Sequence, residues 1–441
     1  MFENRDTLTE SPEHRLALDC LNAGISATHP KSVVNKAITM DGGMLIIDGI
    51  EYDIDEYDRI LVLGGGNAAG QVAAALEKRL NGRIDDGIVV TDDPVPLSTI
   101  ECIKGNHPIP NETAVDGTRQ VLQLASTASE NDLIIAIITG GGSALLPAPA
   151  GSLGLTDLQT TTEKLLRAGA TITEINTVRK HLSDIKGGKL AGVSSPAKTI
   201  SLVFSDVVGN NLGAIASGPI SPDETTYDDA REVIDRYNIE TSAAVRDHLL
   251  RGDEGDVQET PSESSIFEDI NTHVLADNFT ALEAASDVAL EEGYEPLILS
   301  SHIRGEAIEV AKVHVSIAEE IFATGTPVSP PAVLISGGET TVTVTGDGEG
   351  GPNQEFVLSA AIELDAPSIV VGCVDTDGID GNTDAAGAFS DTCTIDDRAA
   401  AQQALTDHDV YSTLDAAGSL LKTGPTGTNV NDLRVIVIGN Q

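Results

Sequence analysis

Short runs of apolar and β-branched residues recur along the chain, and each ends at a glycine or an aspartate before a segment with helical periodicity. Buried parallel strands followed by crossover helices produce this alternation, so the sequence predicts an α/β fold. The predicted strands cover residues 59–63, 87–90, 132–138, 199–204, 332–335, 368–371 and 434–438. In parallel sheets ligands bind beyond the carboxyl ends of the strands, so we expect functional residues in the loops that follow these runs.

The length of 441 residues exceeds what one ordinary core requires. Between residues 251 and 269 the sequence becomes polar, loses its periodicity and includes glycine, proline and serine, which is typical of a linker or a long loop. We therefore predict two domains. Residues 1–250 form a Rossmann-like domain with a mostly parallel sheet, and residues 270–441 form a second α/β domain.

The chain carries 69 acidic residues against 26 Lys and Arg, a formal net charge of −43. The acids are spread along the sequence, which indicates a solvated surface suited to a salt-rich cytoplasm and hence a halophilic source. Nucleic acids and anionic membranes are excluded as partners because both require large cationic patches. No signal-like segment and no apolar run of about 18 residues occurs. We expect a cytoplasmic monomer or homodimer.

The high negative charge predicts that the thermal stability of the protein depends on salt concentration. In dilute buffer the carboxylates repel one another, whereas at ~1 M KCl the Debye length falls to about 3 Å and the repulsion is screened. The thermal midpoint is therefore expected to rise as KCl is increased from ~0.1 M to molar concentration. Scanning calorimetry across a KCl series measures it, and a flat midpoint would contradict a halophilic source.

Residues 176–190 concentrate positive charge in a chain that has little of it. Read as a helix, the segment places Arg179, Ser183 and Lys186 on one face and pairs Lys180 with an acid four positions later. A solvated helix surface is the alternative interpretation. Because the rest of the chain is so acidic, a retained cluster of cations indicates an anionic ligand. We expect Arg179, Lys180 and Lys186 to bind phosphate or a carboxylate.

Two glycine-rich turns directly follow predicted strands. Residues 64–69 match the G-x-G-x-x-A pattern of dinucleotide-binding proteins, with a simple strand–helix joint as the alternative. Residues 140–143 offer backbone N–H groups and a hydroxyl to an anion. No P-loop motif occurs in the sequence, which disfavours a P-loop NTPase. The residues predicted to contact a cofactor in the two turns are Gly64, Gly65, Gly66, Asn67, Gly140, Gly141, Gly142 and Ser143.

Carboxylates also follow predicted strands. Asp206, Asp377 and Asp380 lie in loops with glycines, a composition that suits Mg²⁺ held partly through nucleotide phosphates. Glu339, in another glycine loop, is predicted to orient a substrate hydroxyl. In so acidic a chain, surface carboxylates without a ligand are the alternative. His107, in a proline-stiffened loop, is interpreted as structural.

Taken together, these segments resemble the class II glycerate 2-kinase family, whose C-terminal half is the MOFRL domain. The similarity runs nearly from end to end. The matching motifs are Thr-Gly-Gly-Gly-Ser-Ala-Leu (139–145), Asn-Thr-Val-Arg-Lys-His-Leu (176–182), Ile-Lys-Gly-Gly-Lys-Leu-Ala (185–191), Ile-Ala-Ser-Gly-Pro (215–219), Ser-Gly-Gly-Glu-Thr-Thr-Val (336–342), Asp-Gly-Ile-Asp-Gly (377–381) and Thr-Gly-Pro-Thr-Gly-Thr-Asn-Val-Asn-Asp (423–432). The resemblance implies ATP- and Mg²⁺-dependent phosphoryl transfer to the 2-hydroxyl of D-glycerate, in a cleft between two α/β domains.

Two positions depart from the family pattern. Asn67 stands where the family usually has lysine, and Pro352 stands where it usually has arginine. The family places both of these cations in its active site, where positive charge neutralises the transferring phosphoryl group. Proline at 352 also removes a backbone donor.

We predict an ATP-dependent kinase for a small hydroxy acid, with D-glycerate as the leading substrate. The predicted catalytic residues are Arg179, Lys186, Asp206, Glu339 and Asp377. Those predicted to hold Mg²⁺ are Asp206, Asp377 and Asp380, and Lys180 is predicted to contact the nucleotide. Two alternatives remain open, an NAD(P)-dependent hydroxypyruvate reductase that uses the 64–69 turn and a non-catalytic family member that binds a sugar-acid phosphate.

Overall fold

The strands form three sheets in a computed structural model that describes residues 1–3, 5–9, 11–262, 265–346 and 348–440. The strands are β1 (Ile38–Asp41), β2 (Met44–Ile47), β3 (Ile50–Asp53), β4 (Arg59–Gly65), β5 (Asp86–Thr91), β6 (Ile100–Lys104), β7 (Asp132–Thr139), β8 (Lys198–Phe204), β9 (Ile270–Ala276), β10 (Glu295–Glu306), β11 (Ala332–Thr341), β12 (Ile369–Asp375), β13 (Gly387–Ser390), β14 (Leu420–Leu421) and β15 (Asp432–Ile438). The predicted α/β fold is confirmed, since helices connect most of these strands.

The α-helices are α1 (Arg5–Leu8), α2 (Pro12–Thr28), α3 (Pro30–Ala37), α4 (Ala69–Leu80), α5 (Glu112–Ser126), α6 (Gly142–Leu145), α7 (Leu155–Arg167), α8 (Ile172–His181), α9 (Lys189–Ser194), α10 (Tyr227–Arg236), α11 (Ala243–Asp253), α12 (Asn278–Glu291), α13 (Ala307–Thr324), α14 (Pro352–Glu363), α15 (Arg398–Asp407) and α16 (Val410–Ala416). Within the ranges described, none of them combines the length and apolar character that a membrane span needs.

The chain divides into two units, and their boundaries differ from the predicted domains. Val33–Leu275 form the first, which we call the central unit. Met1–Ser32 and Ala276–Gln441 together form the second, which we call the terminal unit.

The central unit contains a six-stranded sheet in the order β6-β5-β4-β7-β8-β9 and a small antiparallel sheet of β1, β2 and β3. In the large sheet β4 is parallel to β5 and β7, β5 is parallel to β6, and β7 is parallel to β8. This is the doubly wound order, in which the direction of winding reverses between β4 and β7. The Rossmann-like prediction is therefore confirmed, and the reversal between β4 and β7 marks the expected ligand site.

Strand β7 shows why the apolar runs of the sequence become strands. All eight of its residues are buried, because it lies inside a parallel sheet with both faces covered. Its first residue, Asp132, is polar, and its carboxylate accepts hydrogen bonds from Arg59 at the start of β4, at 2.8 and 2.9 Å. This hydrogen-bonded guanidinium lowers the pKa of Asp132 to about 2, so the buried carboxylate stays charged and paired.

The terminal unit contains a mixed sheet in the order β10-β11-β15-β12-β13-β14. Strand β15 is antiparallel to both β11 and β12, so the prediction that residues 434–438 form a parallel strand is wrong. An apolar run that is buried on both faces has the same sequence pattern in either direction. Only the pairing of β15 with its neighbours decides the direction.

The N-terminal helix α2 explains one boundary difference. Its buried side chains Leu18, Leu21 and Ile25 belong to an apolar cluster with residues of α12 and β15, so the first 32 residues pack with the terminal unit. The predicted 1–250 domain is corrected at this end.

The predicted linker, residues 251–269, explains the other boundary difference. The Asp223 N–H donates to the carbonyl of Pro261 at 2.9 Å, and the Tyr227 N–H donates to Glu259 at 3.0 Å. Residues 263 and 264 lie outside the described residues, but the rest of this segment and β9 belong to the central unit. A polar stretch without periodicity can pack on a domain when its backbone finds partners. The boundary therefore lies near residue 275.

Candidate active site

The turns that follow β4, β7 and β8 meet at the carboxyl edge of the central sheet. The Asn67 N–H donates to the carbonyl of Gly140 at 2.8 Å. A Cβ atom built at Gly140 would lie 2.1 Å from Oδ2 of Asp206, and one built at Gly141 would lie 1.8 Å from Oδ1 of Asn67. The structure thus brings together three of the segments predicted from sequence, because parallel strands end at the same edge.

The first glycine turn uses its backbone donors within the fold. The N–H groups of Gly66, Asn67 and Ala68 donate to Val90, Gly140 and Thr139 at 3.0, 2.8 and 3.2 Å. Since these donors are occupied, they cannot cradle a phosphate. The turn matches the strand–helix joint at Gly66 and at the backbone of Asn67, whose N–H groups bond within the fold. Cofactor contacts at Gly64 and Gly65 stay predictions.

The side chain of Asn67, unlike its backbone N–H, has an atom that lacks a hydrogen-bond partner among the described residues. Its Oδ1 atom is buried and has no hydrogen-bond partner among the described residues. A buried acceptor without a donor costs about 1–3 kcal/mol, which a ligand donor would recover. The half-buried Asn67 side chain therefore stays a candidate for ligand contact at the position where the family usually has lysine.

The second glycine turn has free donors. In the part of the chain that the structure describes, the N–H groups of Gly141, Gly142 and Ser143 have no acceptor. The Ser143 hydroxyl lies 2.8 Å from that of Ser217, which donates to Asn176 at 3.0 Å. The turn therefore offers several N–H groups and an oriented hydroxyl to an anion, as its sequence predicts.

The segment that contacts this turn has unusual backbone geometry. Ala216 and Ser217 have φ values of +51° and +61°, a conformation that non-glycine residues seldom adopt. A Cβ atom at Gly142 would lie 2.6 Å from the Cβ of Ala216, so the two segments are in close contact. Such strained residues are concentrated at functional sites. Asn176 and Ser217 lie in motifs of the sequence, but neither was predicted as a site residue.

A cavity of about 490 Å³ opens beside the second turn, within the central unit. Its walls come from the loops after β6 and β7, from α7, and from the end of α8 with the turn that follows it. The lining residues are His107, Pro108, Ile109, Pro110, Gly141, Ser143, Ala144, Pro147, Leu158, Gln159, Thr161, Thr162, Glu163, Leu166, Val178, Arg179, Leu182, Ser183 and Lys186.

Arg179 and Lys186 both line this cavity, although the predicted reason is wrong. Helix α8 ends at His181, so Ser183 and Lys186 do not share a helix face with Arg179. Instead the chain turns after α8 and brings all three side chains to the same cavity. The half-buried Arg179 has no ion pair or hydrogen bond with any other described residue.

Lys186 is buried and has no carboxylate partner among the described residues. Its Nζ donates to the carbonyls of Leu146 and Ala216 at 3.2 and 3.4 Å, so one of its three N–H bonds remains available. Burial, with a further contribution from the charge of Arg179, lowers the pKa of Lys186 to about 7. A bound anion would stabilise both cations.

The other two cations of the segment have structural roles. Lys180, predicted to contact a cofactor, donates to the buried carboxylate of Asp223 at 2.9 Å and is absent from the cavity lining. Lys189 donates to the carbonyls of Lys180 and Ser183 at 3.0 and 2.6 Å and so caps the end of α8. Of the four cations in residues 176–190, two therefore line the cavity. The other two, Lys180 and Lys189, bond to the protein itself and stabilise the turn after α8.

The predicted carboxylates of the terminal unit lie where β11 and β12 end and β15 begins. Asp375 pairs with Asp432 across the sheet. Asp380, predicted as a Mg²⁺ ligand, is buried and accepts four hydrogen bonds of 2.9–3.0 Å from the backbone and side-chain N–H groups of Asn353 and Gln354. Burial raises its pKa to about 7. Because its oxygens are occupied, we assign Asp380 to anchoring the start of α14.

Asp377 and Glu339 are more accessible. Asp377 is half-buried, and its carboxylate accepts from the Ile379 N–H at 2.8 Å. Glu339 is exposed on β11. No group of three or more His, Cys, Asp or Glu residues within the described ranges is arranged to hold a metal ion.

Pro352 occupies the first turn of α14, where a missing N–H costs no helical hydrogen bond.

A doubly wound sheet with free N–H donors in the turn after β7, beside a cavity lined by two cations, defines an α/β protein with a candidate site for a small anionic ligand. Residues 16–250 match the domain of unknown function DUF4147, and residues 332–432 match the MOFRL family. The chain belongs to the class II glycerate 2-kinase family, as its sequence motifs predict.

The relatives compared carry two kinds of name, glycerate kinase and hydroxypyruvate reductase. A protein of Pyrococcus horikoshii named glycerate 2-kinase is 39% identical, over 96% of this chain and 97% of the relative. One of Agrobacterium vitis named putative hydroxypyruvate reductase is 42% identical, over 86% of this chain and 87% of the relative. The crystal structure of a glycerate kinase from Thermotoga maritima is 38% identical and superimposes with a TM-score of 0.86, covering 96% of this chain and 99% of that one.

Proposed function

We propose that this chain is an ATP-dependent kinase that phosphorylates D-glycerate to 2-phosphoglycerate. The observation that carries the proposal is that one cavity beside the turn after β7 is lined by two cations and by free N–H donors. The cations, Arg179 and Lys186, have no carboxylate partner among the described residues, and the donors belong to Gly141 and Ser143. Positive charge and N–H groups in a water-poor site stabilise the negative charge that spreads over a transferring phosphoryl group.

Five of the predicted residues and the second glycine turn then have roles in the reaction. Arg179 and Lys186 bind the phosphates and neutralise their charge, and the turn at 141–143 orients them. The Asn67 amide is suited to accept a hydrogen bond from a ligand hydroxyl. Glu339 and Asp377 remain the residues predicted to orient the hydroxyl that attacks. The names of the relatives support glycerate as that hydroxy acid.

Mg²⁺ is the ion expected with the nucleotide. The ion is commonly held through one or two carboxylates and the phosphates themselves, so it does not require a cluster of three carboxylates. Asp206, against Gly140 at the edge of the central sheet, is the carboxylate we assign to it. When bound, the ion would neutralise charge on the phosphates.

The proposal is tested by coupling ADP formation to a spectrophotometric assay in molar KCl with Mg²⁺. We expect ATP consumption only when a hydroxy acid is added, with D-glycerate as the best of a panel, and phosphate on the 2-hydroxyl by NMR. Oxidation of NADH by hydroxypyruvate, without any ATP use, would instead establish the reductase. The occupied donors of the 66–68 turn argue against that alternative.

The pH profile tests the role of Lys186. Since kcat/KM reports groups of the free enzyme, and the anion binds the protonated amine, kcat/KM is expected to fall above about pH 7. The variant Lys186→Met should have lower activity at every pH and no break near pH 7. Steady-state assays from pH 6 to 9 measure both profiles. A wild-type profile that is flat across this range would show that the charge of Lys186 is not needed.

A further inference from the structure

We propose that Ser143 selects the acid by accepting a hydrogen bond from a hydroxyl that is not phosphorylated, the 3-hydroxyl of D-glycerate. Asn176 and Ser217 act as positioning residues, because they direct the hydrogen of the Ser143 hydroxyl away from the ligand. The inference rests on the proposed kinase function for the identity of the acid. It goes further by naming a specificity-determining residue and by restricting the substrate class to acids with a second hydroxyl.

The hydrogen bonds between these three side chains can run in one direction only. The Oδ1 atom of Asn176 is an acceptor, so the Ser217 hydroxyl donates its hydrogen to that atom, at 3.0 Å. Since Ser217 has no second hydrogen, the contact of 2.8 Å between its Oγ and the Oγ of Ser143 uses the hydrogen of Ser143. Ser143 therefore presents only the lone pairs of its oxygen to a ligand.

Burial and backbone contacts fix this arrangement. Ser217 is fully buried, and Asn176 is buried on α8. The Ser217 N–H donates to the carbonyl of Ala214 at 2.9 Å, and the Ser217 carbonyl accepts from the Gly187 N–H at 3.1 Å. Reversing the direction would bring the oxygens of Ser217 and Asn176 together without a hydrogen between them. Because a buried acceptor without a donor is costly, the fold itself sets the direction.

The Ser143 oxygen places an acceptor beside the donors of the cavity wall. Ser143 and Gly141 both line the cavity, and their backbone N–H groups have no acceptor in the described part of the chain. Arg179 and Lys186 line the same cavity. Oxygens of an ionised phosphate or carboxylate bind to N–H groups and cations, but as acceptors they cannot bond to the Ser143 oxygen. A hydroxyl of the bound acid supplies the donor that this oxygen requires.

D-Glycerate has a hydroxyl available for this bond. A hydroxyl has one hydrogen, and the hydroxyl that attacks is the one that Glu339 and Asp377 are predicted to orient. The second hydroxyl is on the adjacent carbon, so it stays close to the phosphate-binding turn when the first meets the phosphate. D-Lactate is the same acid without this second hydroxyl. A site that bonds to a substrate hydroxyl discriminates against an analogue that lacks it, since the polar group of the site is then unpaired.

Calorimetric titration with D-glycerate and D-lactate tests the bond without turnover, in molar KCl with Mg²⁺ and a non-hydrolysable ATP analogue. The matched control for Ser143→Ala is Ser126→Ala, which changes an exposed serine of α5 whose hydroxyl donates to the carbonyl of Gln123. Wild type and the control should bind D-glycerate about tenfold more tightly than D-lactate. In Ser143→Ala this ratio should fall to about one, because a methyl group cannot accept a hydrogen bond.

The positioning role of Ser217 has a separate readout. In Ser217→Ala the hydrogen of Ser143 is released and can donate to a ligand, so an acid with an acceptor in place of the 3-hydroxyl should bind better. Tartronate is such an acid, because it carries a carboxylate at that carbon. Its affinity relative to that of D-glycerate should rise about tenfold in Ser217→Ala. A residue that only stabilised the fold would weaken both ligands together and leave their ratio unchanged.

The inference is overturned if the ratio of D-glycerate to D-lactate affinity is the same in Ser143→Ala as in wild type. An unchanged tartronate ratio in a folded Ser217→Ala variant also overturns it. If Ser217→Ala does not fold, the Ser143→Ala titrations decide alone. The coupled ATP assay on wild type separates the two proposals. When D-glycerate is phosphorylated but the ratios stay constant, only the role of Ser143 is wrong, and when D-glycerate neither binds nor is phosphorylated, the proposed function fails as well.

Discussion

Replacing Arg179 with alanine is expected to lower kcat/KM for ATP-dependent phosphorylation by about a hundredfold to a thousandfold. The guanidinium lines the cavity beside Lys186 and is not neutralised by any carboxylate of the described chain. Its charge is therefore available to the phosphoryl group, and loss of one donor that stabilises developing charge costs about 2.7–4 kcal/mol. Because no buried acid loses its partner, the thermal midpoint should stay close to that of wild type.

The matched control is Arg119→Ala. Arg119 is also an arginine of the central unit, but its side chain is 63% exposed and pairs with the exposed Asp116 at 3.3 Å. Its removal should leave kcat/KM unchanged, since exposed pairs contribute about 0–1 kcal/mol and the residue is absent from the cavity lining. Steady-state kinetics and thermal denaturation of both variants make the comparison. Equal and small losses in the two variants would mean that the segment is a solvated surface.

The second large effect is on stability. Asp223→Ala is expected to lower the free energy of unfolding by about 3–5 kcal/mol, because it leaves the buried amine of Lys180 without its carboxylate. The carboxylate also accepts hydrogen bonds from the N–H and hydroxyl of Thr225, so its loss leaves further donors unpaired. Urea denaturation of the variant measures the change. Asp116→Ala removes an exposed carboxylate from a comparable ion pair and should change stability by less than about 1 kcal/mol.

The difference in unfolding free energy between wild type and Asp223→Ala should change with pH in a defined direction. Burial acts to raise the pKa of Asp223, but the hydrogen bond and charge of Lys180 and the hydrogen bonds of Thr225 hold that pKa below its ordinary value. A depressed carboxyl pKa contributes stability that is present at neutral pH and is lost as the pH falls through the folded-state value. The gap between wild type and Asp223→Ala should therefore narrow in acid below the ordinary range of an aspartate. A gap that widens in acid would contradict the assigned pair.

Part of the candidate active site was predictable from local sequence. The apolar runs at β4, β7 and β8 identify buried strands, and strands of a parallel sheet present their following loops at one edge. The turn at 140–143 and Asp206 were located in this way. The concentration of cations in 176–190 identified a segment that supplies two cations to the cavity, because the rest of the chain is acidic.

Predictions from local sequence were wrong where the structure depends on residues far apart in the chain. The periodicity that suggested one helix through Lys186 does not record the end of α8 at His181. The partner of Lys180 is Asp223, 43 positions away, and not the acid four positions later. The sequence pattern could not assign roles to the four cations of residues 176–190. The position of a charge in the sequence does not show whether its side chain pairs with a carboxylate or lines a cavity.

The sequence by itself determined the α/β class, the positions of the principal strands and the family motifs, since burial imposes its pattern residue by residue. Only the tertiary structure decided the antiparallel direction of β15, the packing of the first 32 residues with the terminal unit, and the occupied donors of the 66–68 turn. These features depend on hydrogen bonds and apolar contacts between segments distant in sequence, and such contacts leave no periodic signal in either segment.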